Sequence, residues 1–218
     1  MSDTLIIKLV RHGESESNTK ETDPRDVGDH RICLTPRGRR QSKGAGKRVG
    51  RRFIDEALVY CSPYARTRQT LKGVLAGAGI KPADIRVYED PRLREVDLGY
   101  GELDAQIPMR RIHGWFYYRY DGGQSPADCF DRMSTFLESM MRQVERKGTR
   151  RVLIVTHGLT LRAFVMRFMH LTVEQFESLE NPNNCDVITI APKSRLRKPQ
   201  FTSGKWGVSG LRFRTKPR

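Results

Sequence analysis

The sequence predicts an α/β sandwich with a largely parallel sheet, and three observations carry that prediction. Strand signals alternate with helix signals along most of the chain. The strand segments, such as ALVYCS at 57–62 and RVLIVT at 151–156, are continuous apolar runs. Such runs suit strands buried on both faces, as in parallel sheets covered by helices. The length of 218 residues fits one domain, at most two, and is enough to bury a large core.

The elements follow in order. Residues 5–10 read as a buried strand. Thr35 and Pro36 form a helix start, an N-cap followed by proline at the first helical position, and the pattern predicts a very basic helix to about Phe53. A second strand covers 57–62. Pro63 opens a helix to about Gly77, and 85–88 is a third strand. The stretch 90–123 is loop-like, rich in Tyr and Gly. Ser125 and Pro126 then open a long amphipathic helix. Its apolar residues Phe130, Met133, Phe136, Leu137, Met140, Met141 and Val144 recur near the helical period, which marks core. The run 151–156 is the clearest strand. An apolar helix over 159–170 follows, Thr172 caps another helix, and 186–190 closes as a strand. From Pro192 the composition changes: nine Lys or Arg, no Asp or Glu, and several Gly, Pro and Ser. The expectation is therefore a domain over 1–191 and a basic tail over 192–218, at most partly ordered.

Composition narrows the partners. Lys and Arg number 40 against 25 Asp and Glu, a net charge of +15. That balance implies an anionic substrate, polyanion contact, or both, and is silent on fold. Cys33, Cys61, Cys129 and Cys185 are far apart and form no C-x-x-C pair, so they suggest reduced core residues instead of a zinc or redox motif. The run 5–10 is too short for a secretory signal and Lys8 interrupts it. No segment approaches the roughly 20 apolar residues of a membrane helix. A cytoplasmic protein without a membrane span is expected.

Two strands share an unusual ending: LVRHG closes the first and LIVTHG the one at 151–156. Ligands of open α/β sheets sit at the carboxyl ends of strands. If these strands are neighbours, His12 and His157 point into one crevice. A third strand runs into YCSPYARTRQT, whose helix carries Arg66 one turn in, and Arg11 adds a second guanidinium. Two arginines and two histidines around one hollow suit a phosphate dianion. Neighbouring cations favour a neutral, nucleophilic imidazole, and arginines stabilise charge on a transferring phosphoryl group. The loop LREVDLGYGE offers Glu95, Asp97 and Glu102 as proton donors to a leaving group.

RHGES with a later asparagine, LTPRGRRQ, SPYARTRQT, LREVDLGYGE and VTHG, in that order over about 5–190, resemble the histidine phosphatase superfamily, the phosphoglycerate mutase-like group. The resemblance implies a three-layer α/β/α sandwich and no metal or organic cofactor. It implies His12 as the nucleophile that becomes phosphohistidine. Arg11, Arg66 and His157 become the phosphate pocket, Asn18 a further phosphate donor, and Glu95 the general acid. Arg68 and the arginines of the 36–53 helix read as a solvated face. His30 and Arg31 stand either at the pocket mouth or on an ordinary surface loop. His113 and His170 read as structural or surface residues.

Within the family, mutases carry a longer insertion between the general acid and the second histidine. Here that segment is compact and contains GWFYYRYDGGQSPADCFDR, which resembles the broad, phosphatase-like branch. The expected activity is metal-independent hydrolysis of a small phosphorylated substrate. The alternatives are mutase-type phosphoryl transfer, or a polyanion-binding protein that uses the basic tail, with its Phe201, Trp206 and Phe213. Trp115, Phe116, Tyr117 and Tyr118 either roof the pocket or pack beneath a long loop.

Overall fold

The computed structural model describes residues 5–214. Seven strands form one sheet in the order β3-β2-β4-β1-β5-β7-β6. In chain order these are β1 Ile6–Arg11, β2 Ala57–Cys61, β3 Val87–Glu89, β4 Arg151–Thr156, β5 Val187–Pro192, β6 Phe201–Ser203 and β7 Trp206–Ser209. The pairings β3–β2, β2–β4 and β4–β1 are parallel, while β1–β5, β5–β7 and β7–β6 are antiparallel. The helices are α1 Pro24–Val27, α2 Pro36–Val49, α3 Arg51–Asp55, α4 Ala65–Gly77, α5 Ile107–His113, α6 Pro126–Lys147, α7 Gly158–Met169 and α8 Val173–Ser178.

Period-2 alternation sends each parallel strand's side chains to two cores, giving the three-layer α/β/α arrangement. Val10, Val59, Cys61, Leu153 and Val155 pack with α2, α3 and α4. Ile7, Leu9, Leu58, Tyr60, Val152 and Ile154 pack with α6 and α7. The amphipathic stripe of α6 buries Met133, Phe136, Met140 and Val144 against this second core. Ser125 and Asp128 start α6 with a reciprocal capping box, and Thr172 with Gln175 does the same for α8.

Several boundaries differ from the sequence reading. The basic helix stops at Val49, because Gly50 turns to φ 84° and returns its amide to the Gly46 carbonyl. Its continuation is the separate short helix α3. The third strand sits at 87–89, after a 3-10 turn at Pro82–Asp84. The stretch 90–123 holds a 3-10 turn at Pro91–Leu93 as well as α5. Cys61, Cys129 and Cys185 are buried free thiols, and Cys33 is half-buried.

The expected tail is corrected more substantially. The boundary at 191/192 falls inside β5, and the basic segment continues as β6 and β7, which extend the sheet. Val208 and Leu211 are fully buried in the second core, and Trp206 meets Phe168 with ring centroids 5.0 Å apart. Charge on one side of a chain does not prevent order when apolar residues alternate with it. Residues 215–218 of that segment lie outside the described residues.

This correction is measurable. Leu211→Ala should lower the unfolding free energy by about 2–5 kcal/mol in a denaturant titration, the cost of a buried leucine cavity. A tail that does not fold onto the sheet would give no change.

Candidate active site

The parallel pairing of β1 with β4 sets the site. Arg11 stands opposite Thr156, and the His12 amide donates to the Thr156 carbonyl at 2.9 Å. His12 and His157 therefore leave the sheet at the same level, with ring centroids 5.3 Å apart. Both are buried. The end of β2 joins them: the Ser62 amide donates to the Val155 carbonyl, and Ser62 Oγ lies 2.8 Å from His157 Nε2.

Two glycines make room. A Cβ on Gly13 would stand 2.6 Å from the Gly38 carbonyl oxygen, so the turn after β1 can lie against the start of α2 only with glycine there. A Cβ on Gly158 would stand 2.4 Å from Asn181 Oδ1 and 3.4 Å from Arg11 Nε. The glycines of RHG and THG thus serve close packing around the arginine and both histidines.

Hydrogen bonds fix the ring states. His12 Nδ1 lies 2.7 Å from the Gly13 carbonyl oxygen. A carbonyl only accepts, so Nδ1 carries the proton and Nε2 keeps its lone pair. Burial pushes the His12 pKa well below the ordinary 6.5, and the Arg66 and Arg11 charges push it further. His157 is lowered in the same direction, by burial first and then by Arg66, His12 and Arg11. Both rings are neutral at neutral pH. Nδ1 of His157 and Nε of Arg11 are buried without a hydrogen-bond partner.

The arginines are held from behind. Arg11 Nη1 donates to the Pro182 carbonyl at 2.5 Å. Arg66, buried on the first turn of α4, stacks 5.0 Å over Tyr64, whose ring is 5.1 Å from His157. Its guanidinium meets both Asp29 carboxylate oxygens, at 2.8 and 3.0 Å, and the Asp29 carbonyl at 2.6 Å. Arg68 is exposed and pairs with Glu89, on the solvated face the sequence suggested.

Glu95 sits at the N-terminus of α7. Its carboxylate accepts from the amides of Leu159 and Thr160, at 3.1 Å each, and from Thr160 Oγ1 at 3.0 Å. It caps α7, whose N-cap residue His157 makes no capping side-chain bond of its own. Of its two competitors, Asp97 is exposed and holds the Gly99 amide, and Glu102 is exposed and pairs with Arg25. Asn18 is exposed at the edge of the site, and its Oδ1 accepts from Ser15 N and Asn184 Nδ2.

Four neighbours were not assigned from sequence. Ser62 and Tyr64 lie inside the SPYARTRQT stretch, so proximity to Arg66 was available as a signal. Asn184 donates to both the His12 carbonyl and Asn18 Oδ1. Asp29 reaches Arg66, while its neighbours His30 and Arg31 are exposed. Nothing in local sequence distinguishes Asn184 or Asp29 from ordinary loop residues. Of the four aromatic residues 115–118, Phe116 and Tyr118 are buried and Trp115 stacks on Phe176, which is packing; Tyr117 is exposed.

Two neutral histidines flanked by two arginines at the carboxyl edge of a parallel sheet define the class: an enzyme with a site for phosphoryl chemistry. The chain belongs to the histidine phosphatase superfamily (branch 1), whose profile matches residues 7–201. It is 37% identical over 201 residues to the phosphoglycerate mutase-like protein AT74H of Arabidopsis thaliana, covering 83% of this chain and 71% of that one. It is 25% identical to the broad-range acid phosphatase DET1 of Saccharomyces cerevisiae, over 85% and 84% of the two chains. A 2,3-bisphosphoglycerate-dependent phosphoglycerate mutase of Mesorhizobium japonicum is 32% identical, over 90% and 99%. The fold is shared with a mycobacterial glucosyl-3-phosphoglycerate phosphatase solved with inorganic phosphate, at a TM-score of 0.70 and 20% identity, over 94% and 95% of the chains. Among the described residues no helix is long and apolar enough to cross a membrane.

The lowered histidine values carry a stability consequence. Below pH 6.5 the unfolded chain binds protons that the folded histidine pair resists. Their contribution is complete above 6.5 and declines as pH falls from there toward the lower folded values. His157→Gln, with one such group removed, should flatten the fall in Tm between about pH 6.5 and 5. An unchanged slope would mean that His157 binds protons alike in the folded and unfolded chain.

Proposed function

We propose that the protein is a metal-independent phosphomonoester hydrolase that works through a phosphohistidine at His12. The observation that carries this is the pair of buried, unpartnered atoms beside His12: Nε of Arg11 and Nδ1 of His157. Buried polar atoms are rarely left without partners, and here both belong to groups suited to a phosphoryl oxygen. If Ser62 Oγ–H donates to His157 Nε2, the proton of that neutral ring sits on Nδ1 and is available to the substrate.

In the first half-reaction, the lone pair on His12 Nε2 attacks phosphorus and the ester P–O bond breaks. The departing oxygen keeps the bonding pair and takes a proton from Glu95, which enters this step as the carboxylic acid and leaves it as the carboxylate. In the second, water attacks phosphorus, its proton returns to the Glu95 carboxylate, and the P–N pair returns to Nε2. Arg11 and Arg66 stabilise charge on the equatorial oxygens, the task a metal ion performs in other phosphoryl-transfer sites. For Arg66 this requires exchanging some of its bonds to Asp29. Asn18 adds a neutral donor at the pocket edge.

Water as the acceptor is favoured over a second substrate by the short segment between Glu95 and His157, where α5 spans only Ile107–His113. The relatives include both mutases and a phosphatase, so the ratio of hydrolysis to transfer decides between these readings. The substrate is a small phosphorylated compound.

The central test is trapping. Protein quenched in denaturant while turning over labelled substrate should carry acid-labile, base-stable phosphate, and His12→Ala should carry none. Turnover should persist in EDTA. Acid-stable label would indicate a hydroxyl nucleophile instead and overturn the mechanism.

Glu95→Gln separates acid catalysis from helix capping. The amide oxygen can still accept from one of the two α7 amides, but the group has no acidic proton to give. Turnover of an alkyl phosphate should fall by about 10²–10⁴-fold, and that of p-nitrophenyl phosphate far less, since a phenolate leaves without help. Equal losses on both esters would assign Glu95 a capping role alone.

A further inference from the structure

A second cationic region lies apart from the histidines. Two adjoining hollows, of about 580 and 450 Å³, open beside α2 where β5 extends the sheet past β1. They share Lys8 and Thr189, and none of their lining residues belongs to the histidine site. Lys8, Arg48 and Arg212 line the first; Arg52, Arg151 and Arg195 line the second. Asp186 is the one acidic residue in either lining. Arg151 and Arg52 share Glu56 at 2.8 and 3.6 Å. Among the described residues, no carboxylate pairs with Lys8, Arg48, Arg195 or Arg212.

Two of these cations are held in place by backbone carbonyls, not by counter-charges. Lys8 Nζ donates to the Val49 carbonyl at 3.0 Å, and Arg48 Nη2 to that of Cys185 at 2.8 Å. Bonds of this kind fix position while leaving the positive charge uncompensated. Burial, then the Arg151 charge, lowers the Lys8 pKa, which an arriving anion would reverse.

We propose that this groove binds a small ligand carrying several linked phosphoryl groups, at a site separate from the histidine pair. Cations distributed over two connected hollows, with Lys8 common to both, match a short row of anionic groups better than one phosphate. The volumes suit a small molecule. A single-stranded nucleic acid is disfavoured, because its bases need exposed aromatic platforms. The ring in this groove, Phe53, is buried and lies beneath Lys8 and Arg151.

Inorganic triphosphate is the probe, measured by titration calorimetry on the full chain. The paired substitution Arg48→Gln with Arg212→Gln should weaken its Kd at least tenfold, whereas Arg66→Gln should leave it within twofold. Arg195→Gln with Arg212→Gln replaces two exposed side chains and should also weaken binding, at least threefold, so the test survives if loss of the Arg48 contact lowers Tm. Loss of binding in Arg66→Gln with no effect of the groove variants would place triphosphate at the histidine site and overturn the proposal. Tighter binding of a 20-nucleotide single strand than of triphosphate, abolished by the same groove variants, would also overturn it in favour of a polymer.

Discussion

The register of β1 against β4 is the constraint on which the site depends. Six residue pairs align from Ile6 with Arg151 to Arg11 with Thr156. A slip of one residue would send Val10 and Val155 into the wrong core and separate the histidine turns. The apolar alternation that fills two cores therefore also fixes the distance between two imidazoles. The turns beyond the strands are also constrained, because Gly13 lies against the backbone of α2, where no side chain fits, and Gly158 packs against the side chains of Asn181 and Arg11. The Gly13 amide is further tied to Thr70 Oγ1 on α4. Strand pairing, helix packing and site geometry are one set of contacts.

That rigidity permits an arrangement that would otherwise be unfavourable. Burial holds two imidazoles neutral, and two guanidinium groups beside them push in the same direction. Surrounding oxygens hold both guanidinium groups in place: Pro182 for Arg11, Asp29 for Arg66. Positive charge is thus kept beside an uncharged nucleophile. Burial disfavours imidazolium first, and the arginines that add to that effect also favour a phosphoryl group. Glu95 links this centre to α7 by holding the amides of Leu159 and Thr160.

Much of this was legible in the sequence because it is encoded in periodicity and short spacing. The strand at 151–156, the long helix after Ser125 and the paired RHG and THG endings need only local pattern to be read. His12, His157, Arg11 and Arg66 gather around the carboxyl edge as the strand endings implied, with Glu95 and Asn18, which the family resemblance singled out, beside them. What escaped is what depends on distant loops. Asp29 meets Arg66 across 37 positions and Asn184 meets the His12 carbonyl across 172, and neither carries a local signature. Glu95 as a helix cap was also out of reach, since the helix it caps begins 63 residues later.

The basic C-terminal segment shows why composition misleads where alternation does not. Nine positive charges with no acid suggested a solvated tail. Within it, however, Trp206 and Val208 project from β7 toward the helix-covered core, while Gly207 and Ser209 take the opposite face. Phe201 and Phe213 meet with centroids 4.7 Å apart, and Leu211 is buried. The exposed arginines and lysines lie outside this apolar row, at Lys193, Arg195, Arg197, Lys198, Lys205 and Arg212. Charges on one side and apolar groups on the other make an amphipathic sheet edge, and the burial of a few large side chains is what orders it. A net charge of +15 then reflects what this fold presents to solvent on its antiparallel half and on α2, not a failure to fold. The positive groove follows from the same arrangement: Val187, Thr189 and Ala191 of β5 line it together with Lys8 of β1 and Arg48 of α2.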